Sequence, residues 1–256
     1  MRDAYYFISD VHLGLESKEK EKLKVKVLLQ FLDDIKLDAK ELFIVGDLFD
    51  YWIEYKYVIP KGHYKVLSKI SELIDSGIKI TYLAGNHDFW RGDYFEEEFG
   101  IKISDKPIEK TIEGRKLYIH HGDGLAYNDT GYKILKKILR NKGSQFFYSL
   151  IHPDIGIWLA KKTSHTSRGY TSEKDYGEKD GLRDYAMLKC DEGYDYVIMG
   201  HRHFPVKMES QKSPGRTYFN LGDWMYHFTY AVFRNGKMNL MRYYDLKTNE
   251  FINETL

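Results

Sequence analysis

Five short clusters place carboxylates, an amide and imidazoles along one chain: Asp10-Val11-His12, Gly46-Asp47-Leu48-Phe49-Asp50, Gly85-Asn86-His87-Asp88, His121-Gly122-Asp123 and Gly200-His201-Arg202-His203. Seven of these residues, Asp10, His12, Asp47, Asn86, His121, His201 and His203, carry the oxygen and nitrogen donors that divalent cations of hard to intermediate character accept. A single ion needs three or four protein ligands, so seven point to two ions sharing a carboxylate, for which Asp47 is the candidate. Two ions ~3.5–4 Å apart clamp a phosphoryl group and activate water near neutral pH. His87 is the candidate for meeting the leaving or transferring oxygen, as acid or charge stabiliser, with Asn86 and Asp88 beside it in the catalytic set. Asp50, Asp88 and Asp123 are expected to hold histidines in the right tautomer.

Ligands scattered over five clusters need elements that end at one place. Each cluster follows an apolar, β-rich run, among them Tyr5-Tyr6-Phe7-Ile8, Leu42-Phe43-Ile44-Val45 and Tyr196-Val197-Ile198-Met199. Asp10 and His12, like His201 and His203, stand two apart, which puts both side chains on one face of an extended segment. Strands are expected near 4–10, 41–47 and 78–84. Helices near 18–36 and 62–76 separate them, with apolar residues at helical spacing. This βαβα order predicts parallel neighbours covered by helices, with ligands collecting at the carboxyl ends of the strands. Further strands near 116–120, 194–200, 216–221, 228–234 and 238–244 are closely spaced, and Asn235-Gly236 marks a hairpin. The expected fold class is α/β: a β-sandwich core flanked by helices, one domain over 1–256.

Residues 125–185 interrupt the β pattern. Helices are expected over 130–141 and 143–162, the second broken at Pro153. Between 132 and 168 stand eight Lys or Arg and a single acid, Asp154. A basic, aromatic-rich helical pair set between two ligand clusters predicts a lid over the site, rather than only a hairpin with solvated lysines. Phe146, Phe147, Leu150, Ile157, Trp158 and Leu159 would line an apolar cavity, and Lys133, Lys136, Lys161, Lys162 and Arg168 would supply cations for phosphates or an anionic membrane surface. The whole chain, with 39 basic and 38 acidic residues, carries no nucleic-acid footprint. Its single cysteine, Cys190, excludes a disulfide framework and a cysteine zinc cluster, and reads as a small packed thiol. A strand follows directly on Met1-Arg2-Asp3 without a leader pattern, and no apolar stretch is long enough to span a bilayer. The expected location is cytoplasmic. His63, His152, His165 and His227 lack partners at ligand spacing and are set aside.

The order D-x-H, G-D-x-x-D, G-N-H-D, H-G-D and G-H-x-H resembles the calcineurin-like metallophosphoesterases over nearly the whole chain. The resemblance implies a β-sandwich, two metals (often Mn²⁺), and the same seven ligands with Asp47 bridging. Gly46 to Trp52, His121 to Leu125, Asp129-x-Gly131-Tyr132, Ser164-x-x-Ser167-Arg168 and Leu221-Gly222-Asp223-Trp224 are similar to the UDP-2,3-diacylglucosamine diphosphatases of lipid A biosynthesis. That narrower resemblance implies a nucleotide-activated glycolipid substrate, cleaved to UMP and 2,3-diacylglucosamine 1-phosphate, with peripheral contact to the inner membrane surface. By position it assigns substrate contacts to Asn86, Asp129, Ser167, Arg168, Lys174 and His201. Many members carry Arg where this chain has His87. The alternative expectation is a soluble nucleotide pyrophosphatase or phosphodiesterase on the same scaffold, whose lid would pack its apolar side chains away. A degenerate member used as a protein-binding scaffold would lack ligands, and none is missing.

Overall fold

The computed structural model describes residues 2–88, 92–125, 141–160, 162 and 180–256. Two sheets face each other. In the first, β1 (Ala4–Ile8), β2 (Ala39–Val45) and β3 (Lys79–Leu83) run parallel, and β9 (Thr229–Arg234), β10 (Lys237–Asp245) and β11 (Glu250–Thr255) extend it antiparallel, in the order β11-β10-β9-β1-β2-β3. In the second the order is β4-β5-β6-β8-β7, with β4 (Ile108–Ile112), β5 (Arg115–His120), β6 (Tyr196–Met199), β7 (Pro205–Glu209) and β8 (Thr217–Leu221). Asn235 (φ 51°) and Gly236 (φ 72°) both take the left-handed region between β9 and β10, the mark of a tight hairpin turn.

Alternation along the strands builds the layers. In β1, Tyr6 and Ile8 face α1 (Lys18–Ile35) and α2 (Tyr64–Asp75), packing with Val27, Leu28, Phe31 and Leu32 of α1 and Val66, Leu67 and Ile70 of α2. Tyr5 and Phe7 point the other way and meet Ile119, Ile198 and Phe219 of the second sheet. Phe7 stacks on Phe43 at 4.6 Å. Both faces of β1 and of residues 42–45 in β2 are therefore dry, which is why these stretches read as continuous apolar runs. The outer face of the second sheet is covered by α6 (Gly181–Asp191) through Leu182, Ala186 and Cys190. Cys190 is fully buried there, and burial raises its thiol to about 11, so it is a packing group.

Several elements were not anticipated: α3 (Tyr94–Phe99), β4, β7, β11 and α6. Within the interrupting stretch, α4 (Lys142–Ser149) is capped by Asn141, whose side chain accepts from Gly143 and Ser144. A second helix, α5, covers residues 153–160 and opens on Pro153, a residue suited to the first helical position. Residues 181–185 already belong to α6. The helix expected over 130–141 lies outside the described residues.

Candidate metal centre

The loops beyond the strands are zipped together. Past the ends of β1 and β2, the amides of Asp10, His12 and Leu13 donate to the carbonyls of Gly46, Asp47 and Leu48. Gly200 N donates to His121 O, and Trp224 N to Asp10 O. Across the sheets, His201 N donates to Asp10 Oδ2 at 2.8 Å. Gly85 has no room for a side chain, since a Cβ there would fall on Asp47 Oδ1. Asp10 (φ 54°), His12 (48°), Asp47 (54°), His201 (68°) and His203 (56°) all sit in the left-handed region. Non-glycine residues are uncommon there, and their concentration at one point signals a backbone bent for function.

All seven residues marked in the sequence come together, with His87 among them. The potential donor atoms of Asp10, His12 and His203, of His12, Asp47 and His87, and of Asp47, His121 and His201 form three overlapping groups, each within 4.8 Å. Asn86 joins through Oδ1, 3.1 Å from His121 Nε2. Asp47 Oδ2 lies 3.8 Å from His12 Nε2 and 3.3 Å from His121 Nε2. Asp10 Oδ1 lies 3.3 Å from His203 Nε2. Asp47 is thus the carboxylate common to both ends of the row.

Two oxygens test whether cations fit. Asp10 Oδ1 and Asp47 Oδ2 are buried and accept no hydrogen bond. A buried, bare carboxylate oxygen is costly, and here each one faces imidazole nitrogens. The donor set suits divalent cations.

Electrostatics agree. Burial pushes the Asp10 carboxyl up, but His12 and His203 outweigh it and hold it well below its ordinary value. Asp47 is likewise lowered despite burial, chiefly by His121 and His87. Burial drops His12 to about 3 and, with the charge on His121, His201 to about 4, so both are neutral and ready to ligate. Burial also lowers His121, but Asp47 overrides it and raises the ring to about 10. His203 is raised by Asp10 against the same burial.

The tautomers are held differently from expectation. His121 Nδ1 donates to Val45 O at 2.8 Å, and His87 Nδ1 to Asp50 O at 2.9 Å. A carbonyl only accepts, so Nδ1 carries the proton and Nε2 is turned inward. Asp88 takes no part in this. Its oxygens accept from Leu48 N (2.8 Å), Tyr82 OH (2.5 Å) and Gly85 N (2.7 Å), and burial with the charge of Asp47 raises it. Asp88 is a brace between loops rather than a group open to substrate.

Other placements were not legible. Lys24, on α1 and fully buried, donates from Nζ to His12 O at 2.6 Å and pairs with Glu21 at 3.0 Å. Glu21 in turn accepts from Gly14 N at 2.8 Å. Spacing on an amphipathic helix gives no hint of this. His227, set aside above, does have a partner: its Nδ1 lies 3.2 Å from Asp223 Oδ2, four residues back. Asp180, the N-cap of α6, pairs with Arg202 between the two histidines. Asp129, Ser167, Arg168 and Lys174 lie outside the described residues.

A family model described as calcineurin-like phosphoesterase matches residues 5–205. The UDP-2,3-diacylglucosamine hydrolase of Porphyromonas gingivalis is 32% identical over 91% of this chain and 94% of its own length. That of Photorhabdus laumondii is 32% identical over 79% and 83%. Among solved structures, zinc-bound Vps29 from Entamoeba histolytica aligns over 99% of this chain and 98% of its own with a TM-score of 0.51 at 12% identity, a likeness of fold.

Proposed function

We propose that this chain, which belongs to the calcineurin-like phosphoesterase family, cleaves the diphosphate of UDP-2,3-diacylglucosamine to UMP and 2,3-diacylglucosamine 1-phosphate. It is a metal-dependent hydrolase by family and by its donor cluster. The observation that carries the reading is the row of converging donors with two bare carboxylate oxygens, in a chain that spans 94% of a relative named UDP-2,3-diacylglucosamine hydrolase.

Two ions, Mn²⁺ by preference, would be held by Asp10, His12, Asp47 and His203 at one end and by Asp47, Asn86, His121 and His201 at the other. Bound there, divalent cations neutralise phosphoryl oxygens and lower the pKa of water. The chain supplies the rest. Asp47 fixes the spacing of the row. The His87 ring, 11% exposed with Nδ1 committed to Asp50 O, presents Nε2 to charge developing on the phosphoryl or leaving oxygen. Asn86 reaches the diphosphate from its place beside His121.

In this reading the stretch ahead of α6, residues 125–180, acts as the lid, since residues 181–185 belong to α6 on the second sheet. Phe146, Phe147, Ile155 and Trp158 of α4 and α5, and Leu150 in the turn between them, are exposed, which favours a lipid partner over the soluble pyrophosphatase alternative, whose lid would bury them. By the resemblance, Asp129, Ser167, Arg168 and Lys174 would contact the sugar phosphate. No helix among the described residues is long and apolar enough to cross a membrane, so membrane contact would be peripheral, through this face.

The Mn²⁺-loaded protein should release UMP from UDP-2,3-diacylglucosamine in detergent micelles. Hydrolysis of small nucleotide esters without action on the lipid would transfer the protein to the alternative activity.

A further inference from the structure

The metal row has two ends, and only one belongs to the lid. In the first sheet the strands run β9-β1-β2-β3, and in the second β5-β6-β8-β7. Contacts between loops align the two sheets: Asn86 after β3 meets His121 after β5, Asp10 after β1 meets His201 after β6, and Trp224 after β8 meets Asp10. The site is a trench with β3 and β5 at one end and β8, β9 and the start of β7 at the other. The lid stretch departs from the β5 end. Gly156 of α5 lies against the hydroxyl of Tyr55, in the loop after β2.

The far end is finished differently. Phe204, directly after His203, is 63% exposed, and Tyr226 is 59% exposed. His227 meets Phe204 edge-on, with ring centroids 5.5 Å apart. Its imidazole is 27% exposed, and among the described residues Nε2 has no partner. This rim is held firmly. Asp223 is completely buried, and its Oδ1 accepts from the amides of Met225 (3.0 Å), Tyr226 (2.7 Å) and His227 (3.0 Å), while Oδ2 takes His227 Nδ1. Four hydrogen bonds to one carboxylate fix a short loop whose ring at 226 is left in water. The firm mounting of an unburied ring is an arrangement suited to a stacking partner.

We propose that Phe204, Tyr226 and His227 form the nucleoside subsite. The proposal rests on the lipid–nucleotide reading above. A substrate with a diphosphate over the metals and its acylated sugar under the lid must send its nucleoside the other way along the trench, toward this rim. A uracil ring offers a π-face to Phe204 or Tyr226, and its N3–H or a ribose hydroxyl can donate to His227 Nε2, an acceptor because Nδ1 donates to Asp223 Oδ2. Aromatic stacking on a base is tolerant of base identity, so the subsite selects for a nucleoside over a bare sugar before it selects for uracil.

The test is calorimetric binding of UMP and of ribose 5-phosphate to the Mn²⁺-loaded full chain. The two ligands share a phosphate and a ribose and differ in the base. Wild type should bind UMP more tightly, and Phe204→Ala and Tyr226→Ala should each weaken UMP about 5–100-fold, the range of one lost base stack, so that the ratio between the two ligands collapses toward one. His227→Ala should give a smaller loss in UMP. Equal binding of the two ligands by wild type, or an unchanged ratio in both aromatic variants, overturns the subsite. A wild type that prefers UMP yet releases none from UDP-2,3-diacylglucosamine keeps the subsite and removes the lipid substrate.

Discussion

In the donor row, Asp10, His12, Asp47, His201 and His203 are held in left-handed backbone, the first four are hydrogen-bonded across to a neighbouring loop, and glycines stand where a Cβ would strike a ligand. In α4 and α5, by contrast, the backbone is ordinary helix with an Asn cap and a proline start, and the apolar side chains face outward. The first region spends conformational strain to fix geometry; the second leaves apolar surface in water and fixes little. Strain is tolerated only where surrounding structure over-determines it, and the zipped loops supply that. Exposed apolar surface is tolerated where something else covers it in use. The difference separates substitutions that remove chemistry from substitutions that change what the chemistry acts on.

The sharpest separation comes from Asp47→Asn. Replacing the one carboxylate shared by both ends of the row should lower kcat/KM by more than about 10³-fold, beyond the 10²–10³ lost with a single stabilising donor, and metal content per chain measured by elemental analysis should fall. Retained metal with retained activity would remove Asp47 from the row. Next in size is Lys24→Met. Its ammonium touches neither substrate nor metal; it holds the His12 carbonyl and, with Glu21, the loop through Gly14. Residues that orient ligands cost about 10–100-fold in metal affinity when removed, and that loss should appear in Mn²⁺ titrations of the purified variant. An affinity equal to wild type would make Lys24 a packing residue only.

A third effect runs with pH. In the metal-free row His121 is raised to about 10 and His203 is raised as well, both against burial, because Asp47 and Asp10 favour their charged forms. At pH 7 His121 therefore carries a proton that must leave before Nε2 can ligate. Apparent metal affinity should rise with pH, about tenfold per unit for each proton displaced, up to the neighbourhood of pH 10. Calorimetry in two buffers of different ionisation enthalpy counts the protons released. No release at pH 7 would contradict the raised ring.

The residues of the row were readable because their geometry is local: pairs two apart at strand ends, with a glycine beside them. The sandwich was readable because β1 and residues 42–45 of β2 are dry on both faces and so run continuously apolar. Three kinds of feature were not readable. Edge strands such as β7 and β11 bury little, with Lys207, Met208 and Glu209 in one and Glu250, Asn253 and Glu254 in the other exposed, so they carry no alternation to detect. Lys24 looks like any other lysine on a helix facing water, and only the path of the Asp10–Gly14 loop over α1 reveals its partner. Asp88 sits in the same cluster as Asn86 and His87, which invites a catalytic reading, yet its oxygens are taken by Leu48, Tyr82 and Gly85. Sequence proximity to a ligand does not say which way a side chain turns.

The smallest effect falls on the lid and tests the other half of the contrast. Phe147 and Trp158 are exposed, and Lys162 Nζ stands 5.3 Å over the Trp158 ring, so a cation and an apolar face lie side by side, as an anionic lipid requires. Replacing either ring by Ser removes little folded-state contact, and unfolding free energy should move by no more than about 0.5 kcal/mol. Half-burial of such a ring against acyl chains contributes about 1 kcal/mol, roughly fivefold in KM. The expected outcome is a KM for UDP-2,3-diacylglucosamine raised about that much, with a melting temperature near wild type. The same two substitutions in the soluble-pyrophosphatase alternative would leave the KM for small nucleotide diphosphates as it was. A large fall in melting temperature would mean instead that α4 and α5 pack their rings in solution, and the contrast between a strained centre and an open lid would fail at its open half.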